Sequence, residues 1–309
     1  MNKYLFLVNP AAGKGKALKT VPVIEKYFKE IGNSEYEIIL SQAPKHLIDI
    51  AKRSCNHDFT HIIAVGGDGT VNEIINGLEI NSNIYFALLP VGSGNDFARS
   101  LHLPKDVISN LKLILNADAI IKSVNITEVD IIDYNSTISS KTFIINSLGI
   151  GFDALVADLN QKNKIFSGLL SYIVAVLYAI SSYRAICIEL LINNQKINGS
   201  KLLIAVGNGK TSGGGFFLNP DAEIDDDLLD ICIIDSLTKL NMIRHLPKAL
   251  LNKIKEVKEV SLHRFTTANI SLKKPCLVHG DGEIISRNAV GITIKLLKDK
   301  IKVITGYIH

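Results

Sequence analysis

The chain has 309 residues, of which 47% are hydrophobic and 21% charged. This composition is typical of a folded protein with room for two domains, and it excludes a disordered one. The net charge of +4 is mild and no basic tract is interleaved with aromatic residues, so we expect no nucleic-acid partner, whereas weak attraction to an anionic membrane surface stays open.

The cysteines and the N-terminal region indicate a cytoplasmic protein. Four cysteines lie far apart without a C-x-x-C pair, which favours reduced thiols over a disulfide framework or a zinc site. The apolar run from Tyr4 to Val8 is too short for a signal peptide, and no segment is a convincing membrane span. His57 and His61 are interpreted as ordinary surface histidines.

The first predicted strand, Tyr4 to Val8, runs into a loop that contains Gly13 and Gly15, and a helix follows over roughly 17–31. The loop lacks the spacing of a Walker A motif. It nevertheless joins a strand C-terminus to a helix N-terminus, which is where open α/β sheets hold ligands. Lys14 and Lys16 could reach a phosphate there; two solvated surface lysines are an equally good interpretation of either one alone.

A strand over 37–40 that ends at Ser41, and a helix over about 45–54, lead to the central motif of the chain. Ile62 to Val65 form an apolar run that predicts a buried strand. The run breaks into Gly66-Gly67-Asp68-Gly69, where glycine permits backbone angles closed to other residues. Thr70 and Glu73 have capping-box spacing, which predicts that a helix begins here.

Backbone amides and the positive end of a helix dipole would collect at this turn and favour a phosphate. An aspartate in such a cradle would repel bare phosphate unless a cation came with it. Because magnesium prefers oxygen ligands, Asp68 indicates a magnesium nucleotide. An exposed Asp in an ordinary glycine turn is the alternative if this loop is taken alone.

The next strand, over 84–89, delivers a third loop from Pro90 to Phe97 and a short helix that carries Arg99. Ser93 supplies a hydroxyl, and Asn95 and Asp96 can cap the helix. The guanidinium group of Arg99 has a geometry suited to binding phosphate. Three such loops at the ends of successive parallel strands would meet in one crevice. The sequence therefore predicts a nucleotide site.

Near Lys122 the alternation of strands and helices gives way to short strands, which predicts a second, mainly antiparallel domain. We place the first domain at 1–122 together with about 298–309, and the second at 123–297. The predicted strands of the second part are 124–133, 142–147, 185–192, 201–207, 229–235, 261–265, 268–272 and 290–297, with a last strand over 300–305.

The segment from Ile165 to Ile180 is apolar nearly all round but shorter than the ~20 residues that a membrane span needs. A buried core helix is the favoured interpretation. An exposed edge that lines an apolar cleft or touches a membrane is the alternative, since Lys162, Lys164 and Arg184 flank the segment.

Two acidic places stand out in the second part. The turn over 219–228 brings several carboxylates together, and a hard cation bound there would reduce the repulsion between them. A solvated acidic turn is nevertheless the more common arrangement. In the stretch 277–283, glycines flank Asp281 as if a substrate came close. A hairpin turn is the alternative, because Asp-Gly is a strong hairpin signal.

Together these residues resemble the bacterial lipid kinase family that includes soluble diacylglycerol kinases, which is related to sphingosine kinases and more distantly to NAD kinases. The resemblance covers nearly the whole chain, through Asn9-Pro10 with Gly13, Gly66–Thr70 with Asn72 and Glu73, Pro90–Phe97, Gly213–Gly215, the Asp226 turn and Asp281–Glu283. It implies an α/β nucleotide-binding domain with a parallel sheet, a mainly antiparallel β-sandwich domain, and an active site in the cleft between them.

Position by position, the resemblance implies three groups of site residues. ATP would be bound by Asn9, Pro10, Ala11, Ala12, Gly13, Ser41, Gly67, Asp68, Gly69, Thr70, Val71, Asn72, Glu73 and Ser93. A structural Mg²⁺ would be held by Glu223, Asp226 and the carbonyl of Leu228. Asp281 would be the base that takes the proton of the lipid hydroxyl. From the residues themselves we add Lys14 and Arg99 as further phosphate ligands and Asp68 as a second catalytic carboxylate.

Two residues depart from the family pattern: Asp227 stands where glycine is usual, and Ser93 where threonine is usual. The first puts the shape of the metal turn in doubt, whereas the second keeps the hydroxyl.

The sequence thus predicts an ATP- and Mg²⁺-dependent lipid kinase that acts at a membrane surface, with peripheral association, and converts diacylglycerol to phosphatidic acid. Three alternatives stay open. They are a kinase of another lipid alcohol such as phosphatidylglycerol or a sphingoid base, an NAD kinase-like enzyme, and a non-catalytic nucleotide- or lipid-binding regulator. A homodimer through an exposed strand edge is a further possibility.

Overall fold

A computed structural model describes residues 2–55, 57–80, 82–136, 139–162 and 168–306. The chain divides into two compact units. The first unit comprises residues 1–124 together with 299–309, and the second comprises residues 125–298.

The first unit contains a parallel sheet. Its strands are β1 (Tyr4–Val8), β2 (Tyr36–Leu40), β3 (His61–Gly66) and β4 (Tyr85–Pro90), and the end of β13 (Glu283–Thr305) adds a fifth. β1 lies between β2 and β3, β3 pairs with β4, and β4 pairs with the end of β13, all in parallel. β1 and β3 are buried along their whole length, as expected for strands covered on both faces.

Helices connect these strands, which is the arrangement that a parallel sheet requires. They are α1 (Ala12–Glu30), α2 (His46–Ser54), α3 (Asp68–Gly77), α4 (Asp96–Ser100) and α5 (Val107–Leu115). The core between α1 and the sheet contains Phe6, Ile24 and Phe28. The predicted α/β class of this region is confirmed, while α5 was not predicted.

The second unit is mainly antiparallel. Its strands are the later part of β5 (Ile120–Asp133), β6 (Ser139–Ile144), β7 (Ser147–Gly151), β8 (Ile186–Ile192), β9 (Gln195–Gly207), β10 (Leu229–Asp235), β11 (Val260–Phe265), β12 (Thr267–Gly280) and the start of β13. They are ordered β11-β10-β9-β7-β12-β13, and β8 bridges the other halves of β9 and β12. One apolar cluster fills the space that the strands enclose, as the predicted sandwich requires.

Three helices cover the outer face of this sheet, α6 (Phe152–Lys162), α7 (Gly168–Ser182) and α8 (Lys239–Leu250), and a second apolar cluster lies beneath them. α6 and α8 were not predicted. α7 corresponds to the predicted helix 165–180, of which residues 165–167 lie outside the described ranges.

The favoured interpretation of this helix as a buried core helix is correct for one side of the helix and wrong for the other. α7 buries Ala175, Val176, Ala179 and Ile180, whereas Leu170, Leu177 and Tyr178 are 54%, 49% and 66% exposed. The reason is that α7 packs on the sheet with one side only. Within the described ranges, every helix is too short or too polar to cross a bilayer.

The interpretation of His61 as a surface histidine was also wrong, although His57 is exposed. His61 is 6% exposed at the start of β3, where its ring packs against Tyr4 and Tyr85. Burial lowers the pKa of His61 to about 4, because an apolar environment disfavours the charged form.

Candidate active site

The three glycine loops of the first unit meet at one edge of its sheet. They follow β1, β3 and β4, which are neighbours in the order β1-β3-β4. A Cβ on Gly13 would overlap the carbonyl oxygen of Val91, and a Cβ on Gly92 would overlap the backbone of Gly67. Only glycine permits this close approach, so the glycines bring the loops together as well as shaping each one.

The loop after β1 is shaped by left-handed backbone conformations. Gly13, Lys14 and Gly15 have φ values of 60°, 57° and 86° at the irregular start of α1. The side chain of Asn9 accepts a hydrogen bond from the N–H of Ala11 at 3.1 Å. The N–H of Ser41 donates to Val8 at 2.8 Å, so Ser41 follows β2 at the same edge of the sheet as this loop.

In the motif after β3, the helix begins differently from the capping-box prediction. α3 starts at Asp68 and Gly67 is its N-cap, without a capping side chain. Instead of reaching back, the carboxylate of Glu73 accepts hydrogen bonds from the N–H groups of Lys45 and Leu47, at 2.9 and 3.2 Å. Glu73 therefore stabilises the start of α2, and the predicted capping box was wrong because a tertiary partner competes for its carboxylate.

Asp68 links the second loop to the third. Its Oδ1 accepts the N–H of Phe97 at 3.1 Å. Asn95 has a φ of 56° and donates from Nδ2 to the carbonyl of Gly92 at 2.9 Å. The sequence predicted that its side chain caps α4, but the structure shows no such hydrogen bond. Arg99 pairs with Asp96 at 2.7 Å. The carboxylate of Asp96 therefore compensates part of the positive charge of Arg99, which was expected to bind phosphate.

The predicted nucleotide residues thus fall into two groups. The backbone loops around 9–13, 67–69 and 91–95 lie together at the ends of adjacent strands, and Lys14 and Ser93 are exposed beside them. Glu73, by contrast, turns its carboxylate to α2, and Thr70, Val71 and Asn72 are buried within α3. The assignments of single residues to ATP stay predictions.

In the second unit, Asp281 lies in a two-residue hairpin turn between β12 and β13. Asp281 and Gly282 have φ values of 49° and 85°, and Gly280 pairs with Glu283. The hairpin alternative therefore holds, and the turn places a carboxylate in a buried position, since Asp281 is 4% exposed.

Backbone amides hold this carboxylate. The N–H groups of Asn146 and Ser147 donate to Oδ1, both at 2.9 Å, and the N–H of Ile145 donates to Oδ2 at 3.1 Å. The N–H of Asp281 itself donates to the carbonyl of Ser147 at 2.7 Å. The segment 145–147 and the turn therefore fix one another.

Several residues near the turn were not identified by the sequence analysis. His279 lies 2.9 Å from the carboxylate of Asp153 on α6. Tyr172 of α7 packs on Gly213 and Gly214, and its hydroxyl lies 3.8 Å from where a Cβ of Gly282 would be. Glu283 accepts a hydrogen bond from Gln161 at 2.9 Å. The only sequence signal was the run Asn146-Ser-Leu-Gly149-Ile-Gly151, which is unusually polar and glycine-rich for a strand.

The acidic turn is paired with an arginine side chain from β11. Asp226 accepts the N–H of Leu228 at 3.1 Å and pairs with the guanidinium of Arg264. Arg264 also lies 3.5 Å from the carboxylate of Asp230, and burial raises the pKa of Asp230 although Arg264 acts in the opposite direction. Asp227 has the left-handed φ of 63° that explains why glycine suits this position.

The oxygen donors of this turn suit a hard cation, but the carboxylate of Asp226 is already engaged by Arg264. Across the described ranges, no group of three or more His, Cys, Asp and Glu side chains is placed to hold a metal ion. These residues therefore fit the expected structural Mg²⁺ poorly, and the assignment of Glu223, Asp226 and Leu228 stays a prediction.

Comparison with known proteins agrees with both halves of this description. Residues 3–129 match the diacylglycerol kinase catalytic domain, and residues 146–305 match the YegS C-terminal NAD kinase beta sandwich-like domain. The chain belongs to the diacylglycerol kinase family of lipid kinases. It is accordingly a phosphotransferase with an alcohol acceptor, and a nucleotide is its phosphoryl donor.

Individual relatives of this diacylglycerol kinase family member cover most of its length. It is 27% identical to the diacylglycerol kinase of Bacillus subtilis over 287 residues, 92% of this chain and 90% of that one. It is 35% identical to a protein of Klebsiella pneumoniae named "Probable lipid kinase YegS-like" over 175 residues, 56% of this chain and 55% of that one.

Solved structures support the fold. A diacylglycerol kinase of Bacillus anthracis aligns with a TM-score of 0.71 at 22% identity, over 99% of this chain and 97% of that one. Yeast NADH kinase in complex with NADH aligns with a TM-score of 0.55 at 9% identity, over 99% and 84%. The predicted fold and family are confirmed, while the predicted homodimer and the absence of a nucleic-acid partner stay predictions.

Proposed function

We propose that this protein transfers the γ-phosphate of ATP to the free hydroxyl of diacylglycerol and so produces phosphatidic acid. The observation that carries the proposal is in the second unit, where Asp153 and Tyr172 both line an apolar cavity and lie beside the residues of the buried Asp281 turn. Asp153 lines this cavity and also pairs with His279, two residues before Asp281. A lipid whose hydroxyl lay at the turn would have apolar surface available for its chains.

The cavity is lined almost entirely by carbon. Besides Asp153 and Tyr172 it exposes side chains of α7, α8 and the sheet, such as Val176, Leu203 and Met242. Its volume of about 90 Å³ is below the ~300–1,000 Å³ of typical ligand pockets. An acyl chain would therefore enter it only in part.

Access to the lipid is proposed to come through the outer face of α7 and α8, which we call the helical apolar face. It exposes Leu170, Leu177, Tyr178, Leu240 and Ile243. α7 and α8 contain no Asp or Glu, whereas α8 carries Lys239, Arg244 and Lys248. Apolar side chains with a basic rim suit the surface of an anionic bilayer, so we propose a cytoplasmic protein that associates peripherally with the membrane.

On the nucleotide side, the first unit is proposed to hold the phosphates at the glycine loops and the N-terminus of α3, where backbone dipoles favour anions. Asp68 is the side chain proposed to hold a Mg²⁺ ion, which would neutralise charge on the phosphates when bound. Lys14 and Ser93 would contact phosphate oxygens. The loops supply positioning, which phosphoryl transfer requires more than covalent chemistry.

On the acceptor side, the lipid oxygen forms a bond to the γ-phosphorus while the bond between that phosphorus and the bridging oxygen of ADP breaks. The hydroxyl proton goes to a carboxylate, for which we propose Asp281 because its position is fixed by three backbone N–H groups. Glu283, two residues later, is the other carboxylate of the turn and is exposed. General-base catalysis contributes about 10²–10⁴-fold to the rate. Substituting Asp281 and Glu283 one at a time therefore shows which of them is the base.

The test follows the label of [γ-³²P]ATP into extracted lipid. Wild-type protein is incubated with mixed micelles of diacylglycerol, phosphatidylglycerol or a sphingoid base, and separately with NAD. We expect label in phosphatidic acid, a loss of about 10³-fold in Asp281→Asn, and a loss below about tenfold in Glu283→Gln, since only the first removes the base. Circular dichroism establishes that the variants are folded.

Three results would change the assignment. Label in a different lipid would replace diacylglycerol as the substrate. Label in NAD and in no lipid would make the protein an NAD kinase-like enzyme. A larger loss in Glu283→Gln than in Asp281→Asn would transfer the role of the base to Glu283.

A further inference from the structure

His279 is a buried histidine that the proposed reaction does not use. It is 2% exposed near the end of β12, two residues before the carboxylate of the turn. Its Nδ1 lies 3.3 Å from the backbone nitrogen of Gly282, and its Nε2 lies 2.9 Å from Oδ2 of Asp153. The imidazole therefore joins the hairpin turn to helix α6.

These two partners define the protonation state of the ring. The backbone N–H of Gly282 can only donate, so Nδ1 must carry a lone pair and accept. A neutral imidazole then has its proton on Nε2, which donates to the carboxylate of Asp153. A carboxylate that orients a histidine through one nitrogen so that the other can act is a recurrent arrangement in proteins.

Strand β7 is built to admit this pair. Gly149 lies opposite His279 in the pairing of β7 with β12. A Cβ at position 149 would overlap both Nε2 of His279 and Oδ2 of Asp153. Glycine at this position of a central strand loses cross-strand packing, and the space it leaves is filled by the His279–Asp153 pair.

The turn itself needs support from outside. Asp281 adopts a left-handed backbone with a φ of 49°, and such conformations are strained in residues other than glycine and persist where the surroundings over-determine them. The carboxylate of Asp281 is held by residues 145–147, and the next peptide N–H, that of Gly282, is held by His279. The two constraints act on the two sides of the residue that must be placed.

We infer that His279 is a positioning residue for the reaction: its unprotonated Nδ1, oriented by Asp153, holds the N–H of Gly282 and thereby sets the direction of the carboxylates at 281 and 283 toward the acceptor hydroxyl. This inference rests on the proposed function, since it assigns a role in that same site. It concerns the acceptor half of the reaction, so it affects turnover and leaves nucleotide binding unchanged.

Two amide substitutions separate the two nitrogens. In His279→Asn, the side-chain oxygen replaces Nδ1 as an acceptor for Gly282, while the contact with Asp153 is lost. In His279→Gln, the amide nitrogen reaches Asp153 in place of Nε2, while the N–H of Gly282 loses its acceptor. His263→Asn, on the half-buried β11, is the matched control.

The lipid-labelling assay is run on all four proteins with kcat and the KM for ATP measured separately. We expect kcat within about fivefold of wild type in His279→Asn and in the control, and a loss of about 30-fold or more in His279→Gln, with the KM for ATP unchanged throughout. Equal losses of kcat in the Asn and Gln variants, or a change in KM that parallels kcat, would overturn the inference.

A second measurement does not depend on turnover. In ¹⁵N-histidine-labelled protein, the resonance that disappears in His279→Asn should belong to a neutral ring protonated on Nε2. A ring protonated on Nδ1, or on both nitrogens at neutral pH, would overturn the inference even if the protein is an active kinase. Wild-type protein that labels no lipid overturns the proposed function, and the positioning role with it.

Discussion

The two units solve the problem of binding in different ways. In the first, the site is made of backbone: glycines bring three loops together, and side chains such as Glu73 are used elsewhere in the fold. In the second, the site is made of side chains: the carboxylate of Asp281 is held by the 145–147 segment, and His279 and Asp153 hold one another. A backbone site tolerates no added Cβ, whereas a side-chain site tolerates no loss of a hydrogen-bonding partner.

The largest effect we expect is a loss of stability of the first unit at acidic pH, which distinguishes it from the second. In the folded first unit His61 stays neutral down to its pKa of about 4, while in the unfolded chain it takes up a proton below about pH 6.5. Stability is therefore unaffected above pH 6.5 and falls as the pH is lowered from 6.5 to 4, by about 3 kcal/mol in total.

Urea unfolding between pH 7 and 4 measures this loss. His61→Asn, whose side-chain amide can keep a hydrogen bond with the hydroxyl of Thr60, should remove about the whole pH-dependent part that His61 contributes. Hydrogen exchange should locate the acid-induced opening in the first unit. An identical pH profile in the variant would mean that His61 is not the titrating group.

The second effect concerns the backbone site. Gly13 and Gly15 both have positive φ, but only a Cβ at 13 would collide with Val91, whereas a Cβ at 15 has open space. A displacement of about 1 Å in a positioning loop can cost about 10²-fold in rate. We therefore expect Gly13→Ala to lower kcat/KM for ATP about 100-fold and Gly15→Ala less than tenfold.

Both variants place an alanine at a positive φ, and only the one at position 13 adds a contact with Val91, so their difference reports chiefly the contact between the loops. Steady-state kinetics with varied ATP measures it. Equal effects in the two variants would show that conformational strain alone, and not the approach of the first loop to the third, determines nucleotide binding.

A third, smaller effect is expected at the helical apolar face. Leu170→Ser with Leu177→Ser removes two exposed leucines that we propose to enter the bilayer, each worth about 1 kcal/mol when partly buried. We expect binding to vesicles of phosphatidylglycerol and phosphatidylcholine to weaken about tenfold in a sedimentation assay.

Leu18→Ser on α1 is the control, because Leu18 is 47% exposed and Leu177 is 49% exposed. A loss of vesicle binding in the control as large as that in the double variant would remove the helical apolar face from the proposal. Unchanged binding of the double variant would do the same.

The smallest effect tests the acidic turn. Because Arg264 already pairs with Asp226 and lies close to Asp230, EDTA should change the Tm of the nucleotide-free protein by less than about 2 °C. Arg264→Gln should lower Tm by a few degrees, since a half-exposed ion pair is worth about 1 kcal/mol or less, and Mg²⁺ should then restore part of the loss.

Differential scanning fluorimetry measures these shifts, with Arg244→Gln, an exposed arginine of α8, as the control. A fall in the Tm of wild type by more than about 5 °C in EDTA would show that the turn holds the metal ion that the sequence predicted at Glu223, Asp226 and Leu228.

The same contrast explains what the sequence could predict. The loops at 9–13, 67–69 and 91–95 are each contiguous, and their glycines are visible in a single sequence. Asp281 was visible as well, but its partners at 145–147 lie more than 130 residues away and bind it through backbone groups. Asp153 lies 126 residues from His279, and no local rule connects them.

Local rules also failed where a distant partner competed. Thr70 and Glu73 have capping-box spacing, yet the carboxylate of Glu73 binds the start of α2. The strands β12 and β13 were predicted as shorter segments, over 268–272, 290–297 and 300–305. In the structure, β12 continues past Leu272, and shifts of register between Ser271 and Val278 keep Lys273, Lys274 and Pro275 within one continuous strand.

The course of β13 has a consequence for biosynthesis. Its first residue follows the Asp281 turn, but its last seven belong to the first unit, where Lys302 and Val303 pair with the edge of β4. A ribosome therefore releases nearly the whole of the first unit long before the strand that completes it. Until the end of β13 has been synthesised, the β4 edge presents unpaired N–H and C=O groups that can pair with other chains, so chaperones that shield such edges should matter most for this protein while it is nascent.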